Sequence, residues 1–378
     1  MSLFSEKEKQ RRFASAQEII KNESLGAMLL LGNGMVGSNA YGAFRYFTDD
    51  RVFFYIQAAV FFPDSEPAAV ATSDISRLEF VNNSFIPDCV SAADSAAGVI
   101  ELFRKRNVHG RVGTCLELLP TTWAVRILDA IPDIEFVDVS AQIFDARNHH
   151  SDEEVAIIRE CASLADAAYE AVCAYAKPGV TESQIAAELE YAIDKRGGEY
   201  NFTLITSGRF KFENSEMPML HSAPMVDRVI QPGDSIGMEI TPRYNGYWTQ
   251  LVRTVSVGEP HPDLLRAHEV SVGSIKAALP ALKPGNPISS IANAVQKYVE
   301  GEGFTFGLPC GHICAVDLNE ERLDDKNERI LLPGMAVILH PSITRPGLET
   351  GIFWGETYLI TDTGYERLMK TNDDFAIL

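Results

Sequence analysis

Basic residues are in short supply, with 33 Lys and Arg against 52 Asp and Glu in 378 residues and a formal net charge of −19. A surface this acidic repels phosphate backbones and anionic headgroups, so neither nucleic acid nor a membrane surface is an expected partner. Long apolar runs are missing too. The longest, around Val52 to Phe62, contains Gln57 and is far too short to cross a bilayer. Cysteine is sparse. Cys89, Cys115, Cys161, Cys173, Cys310 and Cys314 show no paired framework, which favours buried thiols in a reducing compartment over disulfides. Cys310-Gly-His-Ile-Cys314 has the look of a metal-ligand knot, yet no second Cys/His cluster completes a zinc site. The N-terminus lacks a basic region followed by an apolar core, so no secretory leader is expected and the predicted location is cytoplasmic.

What the chain does have is the composition of an ordinary globular protein, 46% hydrophobic and 22% charged, enough for one large domain or two medium ones. Its first part alternates helical and strand signals: a helix over about Ser5 to Leu25, then Ala27 to Leu31, Val52 to Phe62 and Ala68 to Thr72. A helix near Ser95 to Arg106, Val112 to Leu118, a helix near Thr121 to Ile131 and Ile134 to Val139 complete an α/β pattern. A boundary is predicted at Asn148-His-His150, dividing an N-terminal domain, 1–148, from a second, 149–378, with His149 and His150 as solvated linker residues. Ser151-Asp-Glu-Glu154 reads as a capping box that satisfies free N–H groups at a helix start, and an apolar stripe from Val155 to Val172 carries that helix to about Tyr175. Thr181-Glu-Ser-Gln184 is a second capping box, opening a helix that stops at Gly197-Gly198. Strand-like sequence over Asn201 to Val257, two helices at about Pro262 to Leu282 and Ile288 to Glu302, and more strands after them predict an α+β second half.

The sharpest local signal is Tyr244-Asn245-Gly246-Tyr247, because Asn-Gly between β-rich runs favours a two-residue type I′ hairpin. That turn predicts a register in which Tyr244 opposes Tyr247, Thr241 opposes Gln250 and Glu239 opposes Val252. Glu239, Thr241, Gln250 and Val252 then share one face, with Glu239 and Gln250 diagonal at roughly 7–8 Å. Arg253 falls on the opposite face and is expected to bond across the sheet.

Glu239-x-x-x-x-Tyr244-x-Gly246-Tyr247-x-x-Gln250-x-x-Arg253-Thr254, preceded by Pro232-Gly233-Asp234 and by His221 in Leu220-His-Ser-Ala-Pro, resembles the core signature of the pita-bread family of aminopeptidase P, prolidase, methionine aminopeptidase and creatinase. Gly311-His312, Pro333-Gly334-Met335, His340-Pro341 and Gly355-Glu356 are similar to its later motifs. The resemblance implies an antiparallel pita-bread sheet flanked by helices, preceded by a creatinase-like α/β N-terminal domain, and it implies a homodimer. The family's peptidases hold two divalent metals with two Asp, one His and two Glu. Here those positions read Glu239, Gln250, His312, His340 and Gly355, and a further family histidine falls at Asn319. Hard dications need more carboxylate than this set supplies.

Two chemical readings follow from the resemblance. In the first, similar to creatinase and ectoine hydrolase, the protein is a metal-free hydrolase of a C–N bond in a small molecule and needs no cofactor. His221 then shuttles protons, since its near-neutral pKa suits taking a proton from water and returning it to a leaving nitrogen. Glu239, His312, His340 and Glu356 bind or polarise the substrate, and Gln250, Tyr247, Phe210 and Trp354 line its site. Creatine itself fits poorly, because the positions of creatinase's guanidinium-gripping carboxylates read Val252 and Gly355. In the second, Glu239, His312 and His340 hold one metal in an Xaa-Pro peptidase-like site. A member without catalysis that binds peptides is the alternative of another class.

Overall fold

The computed structural model describes residues 4–33, 42–52, 55–199, 202–218, 223–307, 309–348 and 350–378. Two compact units divide the chain, 1–148 and 149–378.

The first unit runs α1 (Glu6–Asn22), β1 (Ala27–Asn33), α2 (Gly42–Thr48), β2 (Ile56–Phe61), β3 (Ala68–Ala71), α3 (Asp74–Asn83), β4 (Cys89–Ser91), α4 (Ser95–Lys105), β5 (Gly110–Thr114), α5 (Thr121–Ala130), β6 (Ile134–Asp138) and α6 (Ser140–Arg147). Its strands form a mixed sheet in the order β4-β3-β2-β1-β5-β6. Helix α2 was not legible in the sequence, for a physical reason. Its residues are buried on every side, so Gly-Ala-Phe-Arg-Tyr-Phe-Thr carries no alternation of polar and apolar faces.

The second unit opens with α7 (Asp152–Tyr175) and α8 (Glu182–Asp194), and both predicted capping boxes form with reciprocal side-chain bonds. Then come β7 (Phe202–Gly208), β8 (Ser235–Thr241), β9 (Arg243–Tyr244), β10 (Tyr247–Trp248), β11 (Leu251–Ser256), α9 (Pro262–Ala278), α10 (Ser289–Gly301) and β12 (Thr305–Gly307). The chain finishes through β13 (Gly311–Cys314), β14 (Glu321–Arg322), β15 (Ala336–Leu339), β16 (Ser342–Thr344), β17 (Gly351–Phe353), β18 (Gly355–Ile360) and β19 (Tyr365–Arg367). The main antiparallel sheet has the order β14-β13-β15-β18-β11-β8-β7, with β19 beside β18. Among the described residues, the expected run of strands over Asn201 to Val257 is interrupted between Gly208 and Ser235. There Phe210, Phe212 and Met217 are buried in the core without joining a ladder.

Asn245 and Gly246 have φ of +46° and +90°, as a type I′ turn requires. Tyr244 pairs with Tyr247, Ile240 with Leu251 and Glu239 with Val252, the predicted register. Helix α7 pins this hairpin. Tyr247 donates its phenol proton to Glu154 Oε1 at 2.5 Å, while Oε2 of the same carboxylate closes the capping box on Ser151 N. The Cys161 thiol lies 3.3 Å from the carbonyl oxygens of Pro242 and Tyr247. His150 is not solvated as expected. It is buried, its Nδ1 lies 2.6 Å from the Gly334 carbonyl, and its ring meets Tyr247 edge-on. His149 is exposed.

Two apolar clusters cover one face of the main sheet. One joins Met238, Ile240 and Leu251 to Leu164, Val172, Ile185 and Leu189 of α7 and α8. The other joins Ile313, Val337 and Leu339 to Leu264, Val270, Ile291 and Val295 of α9 and α10. By strand alternation, the residues between these on each strand face the other side. A side chain at Gly246 strains the turn, so Gly246→Ala is expected to cost about 1–2 kcal/mol. Urea denaturation followed by circular dichroism measures it, and a loss below a few tenths of a kcal/mol would mean that the turn does not set the register.

Candidate active site

Pairing across five strands, β8, β11, β18, β15 and β13, builds the site. Glu239 pairs with Val252, and Val252 with Gly355. One step along, His312 pairs with Ile338 and Ile338 with Thr357. Thr357 meets Gln250, whose main-chain N–H donates to the Thr357 hydroxyl at 2.8 Å while that hydroxyl donates back to the Gln250 carbonyl at 3.1 Å. Directly paired residues point to the same face of an antiparallel ladder. Glu239, Gln250, His312 and His340 are therefore brought together on the face that the helices leave uncovered. Gln250 Nε2 donates to Glu239 Oε2 (3.2 Å) and Thr241 Oγ1 (3.0 Å). The rings of His312 and His340 meet edge-on with centroids 5.3 Å apart, and Phe353 packs on His340 at 6.1 Å. Glu239 and His340 are partly exposed, whereas Gln250 and His312 are buried.

Four residues expected at this site lie elsewhere. Glu356 pairs with Leu251 and Leu339, which places it on the helix-covered face. There it is buried and bonded to Arg253 (2.6 Å), to Arg367 (2.6 and 3.0 Å) and to the Tyr358 hydroxyl (2.9 Å). Its role is structural, and Arg253 is the cross-sheet partner that the register predicted. Trp354 is buried on the same side, under the Arg253 guanidinium at 4.6 Å and against His268 at 4.4 Å. Phe210 belongs to the apolar core and packs on Phe212. Tyr247 is committed to Glu154. His221 lies outside the described residues. Thr357 was missed, because no tight turn joins β11 to β18 and nothing local announces their register.

The five positions that the resemblance gives to metal ligands do not fit a metal pair. Gln250 turns its NH2 group, which cannot ligate, toward Glu239. A Cβ on Gly355 would collide with the Leu339 carbonyl oxygen and with His340. A carboxylate side chain is thus blocked at its first carbon. Among the described residues no three His, Cys, Asp or Glu side chains are placed to hold a metal ion. Cys310 and Cys314 are free, buried thiols, lying 3.5 Å from the carbonyls of Leu323 and Trp248 respectively.

His312 is held neutral. Burial, and after it the neighbouring His340, pushes its pKa down to about 3, although its Nδ1 lies 3.4 Å from the Ile313 carbonyl. The imidazole is therefore uncharged at neutral pH.

Comparison with known proteins places this architecture. Residues 156–362 match the model of metallopeptidase family M24. The Xaa-Pro dipeptidase of Pyrococcus furiosus is 32% identical over 244 residues, 63% of this chain and 67% of that one. An uncharacterized peptidase of Bacillus subtilis, YqhT, is 28% identical over 253 residues, 66% of this chain and 69% of its own. Among solved structures, the Xaa-Pro dipeptidase from Bacillus anthracis superposes with a TM-score of 0.84 at 21% identity, covering 98% of this chain and 100% of that one. The X-Pro aminopeptidase from Thermotoga maritima does so with 0.84 at 19%, covering 97% and 99%. The fold is the α+β pita-bread architecture preceded by an N-terminal domain. The chain belongs to metallopeptidase family M24. It is a peptidase-type hydrolase, acting on C–N bonds.

Two outcomes follow from the geometry. Gly355→Glu forces a side chain into occupied space and is expected to cost at least about 1–3 kcal/mol, the range of core overpacking. The triple variant Gln250→Asp, His340→Glu, Gly355→Glu is expected to bind no stoichiometric manganese or zinc by calorimetry; a stable, metal-loaded variant would refute the closed position. For His312, the unfolded imidazole titrates near about 6.5 and the folded one near 3. Between those values the unfolded chain binds the additional proton, so the stability contributed is complete above about pH 6.5 and declines as pH falls toward 3. His312→Gln should flatten the acid limb of a urea-unfolding profile by about 1–2 kcal/mol between pH 7 and pH 5.

Proposed function

We infer that this chain hydrolyses a C–N bond of a small molecule by a route that does not pass through a bound metal. One observation carries the inference: backbone and His340 occupy the space that the Cβ of a ligand side chain at position 355 would need. Gln250 supports it, since its amide takes up the Glu239 carboxylate as a hydrogen-bond partner. On this reading Glu239, the partly exposed carboxylate, faces the substrate and takes its nitrogen group. The neutral His312 and the adjacent His340 complete the polar wall. His221 is the proton carrier, a role that rests on the family resemblance. It takes a proton from the attacking water and returns it to the departing nitrogen, so that no net charge is lost to solvent. The reading includes a cytoplasmic homodimer that acts on a small molecule and needs no cofactor.

A second reading has specific support. The Pyrococcus furiosus relative is described as an Xaa-Pro dipeptidase, and a prolyl dipeptide is a small C–N substrate.

The deciding experiment measures metal content of the purified protein and turnover of amides, cyclic amidines and Xaa-Pro dipeptides, with and without EDTA. The expected result is less than stoichiometric metal, EDTA-insensitive turnover of an amide or amidine, and a loss of roughly 10²–10⁴-fold in His221→Ala. Xaa-Pro cleavage that requires added manganese or cobalt would overturn the metal-free route and establish the second reading.

A further inference from the structure

Gln250 has a half-finished side chain. It is 2% exposed. Its main chain is held on both sides by the Thr357 hydroxyl, and its amide nitrogen is held by Glu239 Oε2 and Thr241 Oγ1. Its amide oxygen Oε1 is buried and has no hydrogen-bond partner among the described residues. The orientation is chemically determined, because an ionised carboxylate only accepts and must face the NH2 end of the amide. Turning the amide over would set oxygen against oxygen. Oε1 is thus a buried acceptor, fixed in direction on the site face beside Glu239.

We propose that Gln250 Oε1 and the Glu239 carboxylate form a paired acceptor that reads two N–H donors on one nitrogen-containing group of the substrate. Such a pair takes a primary ammonium or an amidinium and rejects the same charge when its hydrogens are replaced by methyl groups. Discrimination of this kind is strong, since a ligand lacking the donor leaves the buried oxygen unpaired in the complex as well. Arg253 does not compete for this surface; it is directed to Glu356 on the other face. The inference rests on the hydrolase reading only for what the nitrogen group belongs to, and Gln250 enters as a binding residue.

The test is direct titration, by calorimetry in EDTA, with acetamidinium, methylammonium and tetramethylammonium as probes. The wild type is expected to bind acetamidinium and methylammonium at least tenfold more tightly than tetramethylammonium. Gln250→Met, similar in shape but without the acceptor, is expected to lose at least tenfold for acetamidinium, whereas Gln250→Glu keeps an acceptor, adds charge and binds it at least as tightly. Thermal melts establish that both variants fold. If Gln250→Met fails to fold, the Gln250→Glu titration and the wild-type comparison of methylammonium with tetramethylammonium decide the matter. The proposal is overturned if acetamidinium does not bind the wild type, if Gln250→Met binds within twofold of it, if Gln250→Glu binds more weakly, or if tetramethylammonium binds equally well. Failure of the hydrolase reading is separable: it shows as absence of metal-independent turnover with the probe selectivity intact.

Discussion

Everything at the site depends on the alternation of side chains across the ladder formed by β8, β11 and β18. A strand turns successive residues to opposite faces, so a register shift of one would exchange the site for the core. In the register observed, Glu239, Val252 and Gly355 stand in one row, and Gln250, Thr357, Ile338 and His312 run beside it. The row between them, with Ile240, Leu251 and Glu356, turns to the helices. The hairpin at Asn245-Gly246 and the anchor from Glu154 to Tyr247 hold this arrangement from one end. At the far side the buried pair of Arg253 and Glu356 holds β11 to β18.

That pair accounts for the one carboxylate adjacent to the site in sequence that does not join it in space. Glu356 accepts from Arg253, Arg367 and Tyr358, so its charge is balanced where it is buried. Removing one partner would strand a charge in the interior, which is why loss of either residue alone is strongly destabilising. On the opposite face the described residues of the site include one carboxylate, an amide and two imidazoles, with His312 held neutral by burial. The excess of acid over base belongs elsewhere on the protein.

Much of this was legible in sequence wherever the signal was local. Both capping boxes, the type I′ turn and the pairing of Glu239 with Val252 are decided within about a dozen residues, where turn chemistry and helix-end hydrogen bonding are strong. The failures are all long-range. Glu356 sits beside the position of a family ligand, and only its pairing with Leu251 and Leu339 shows that it points to the other face. Trp354 and Phe210 are aromatic residues near motif positions, and whether such residues line a site or fill a core depends on which helices cover them. His150 resembled a linker histidine and proved to be a packed one, bonded to a carbonyl 184 positions away.

The sequence by itself determined the family, the antiparallel sheet with its helices, and the replacement of metal-ligand residues at Gln250, His340 and Gly355, because residue identity and short spacing carry that information. Only the tertiary structure decided that Gly355 leaves no room for a side chain, that Glu356 is structural and that Gln250 holds an amide oxygen with no hydrogen-bond partner among the described residues. These are properties of strands distant in sequence and adjacent in space. Which face a residue occupies, and what fills the volume next to it, is set by pairing that no single stretch of chain encodes.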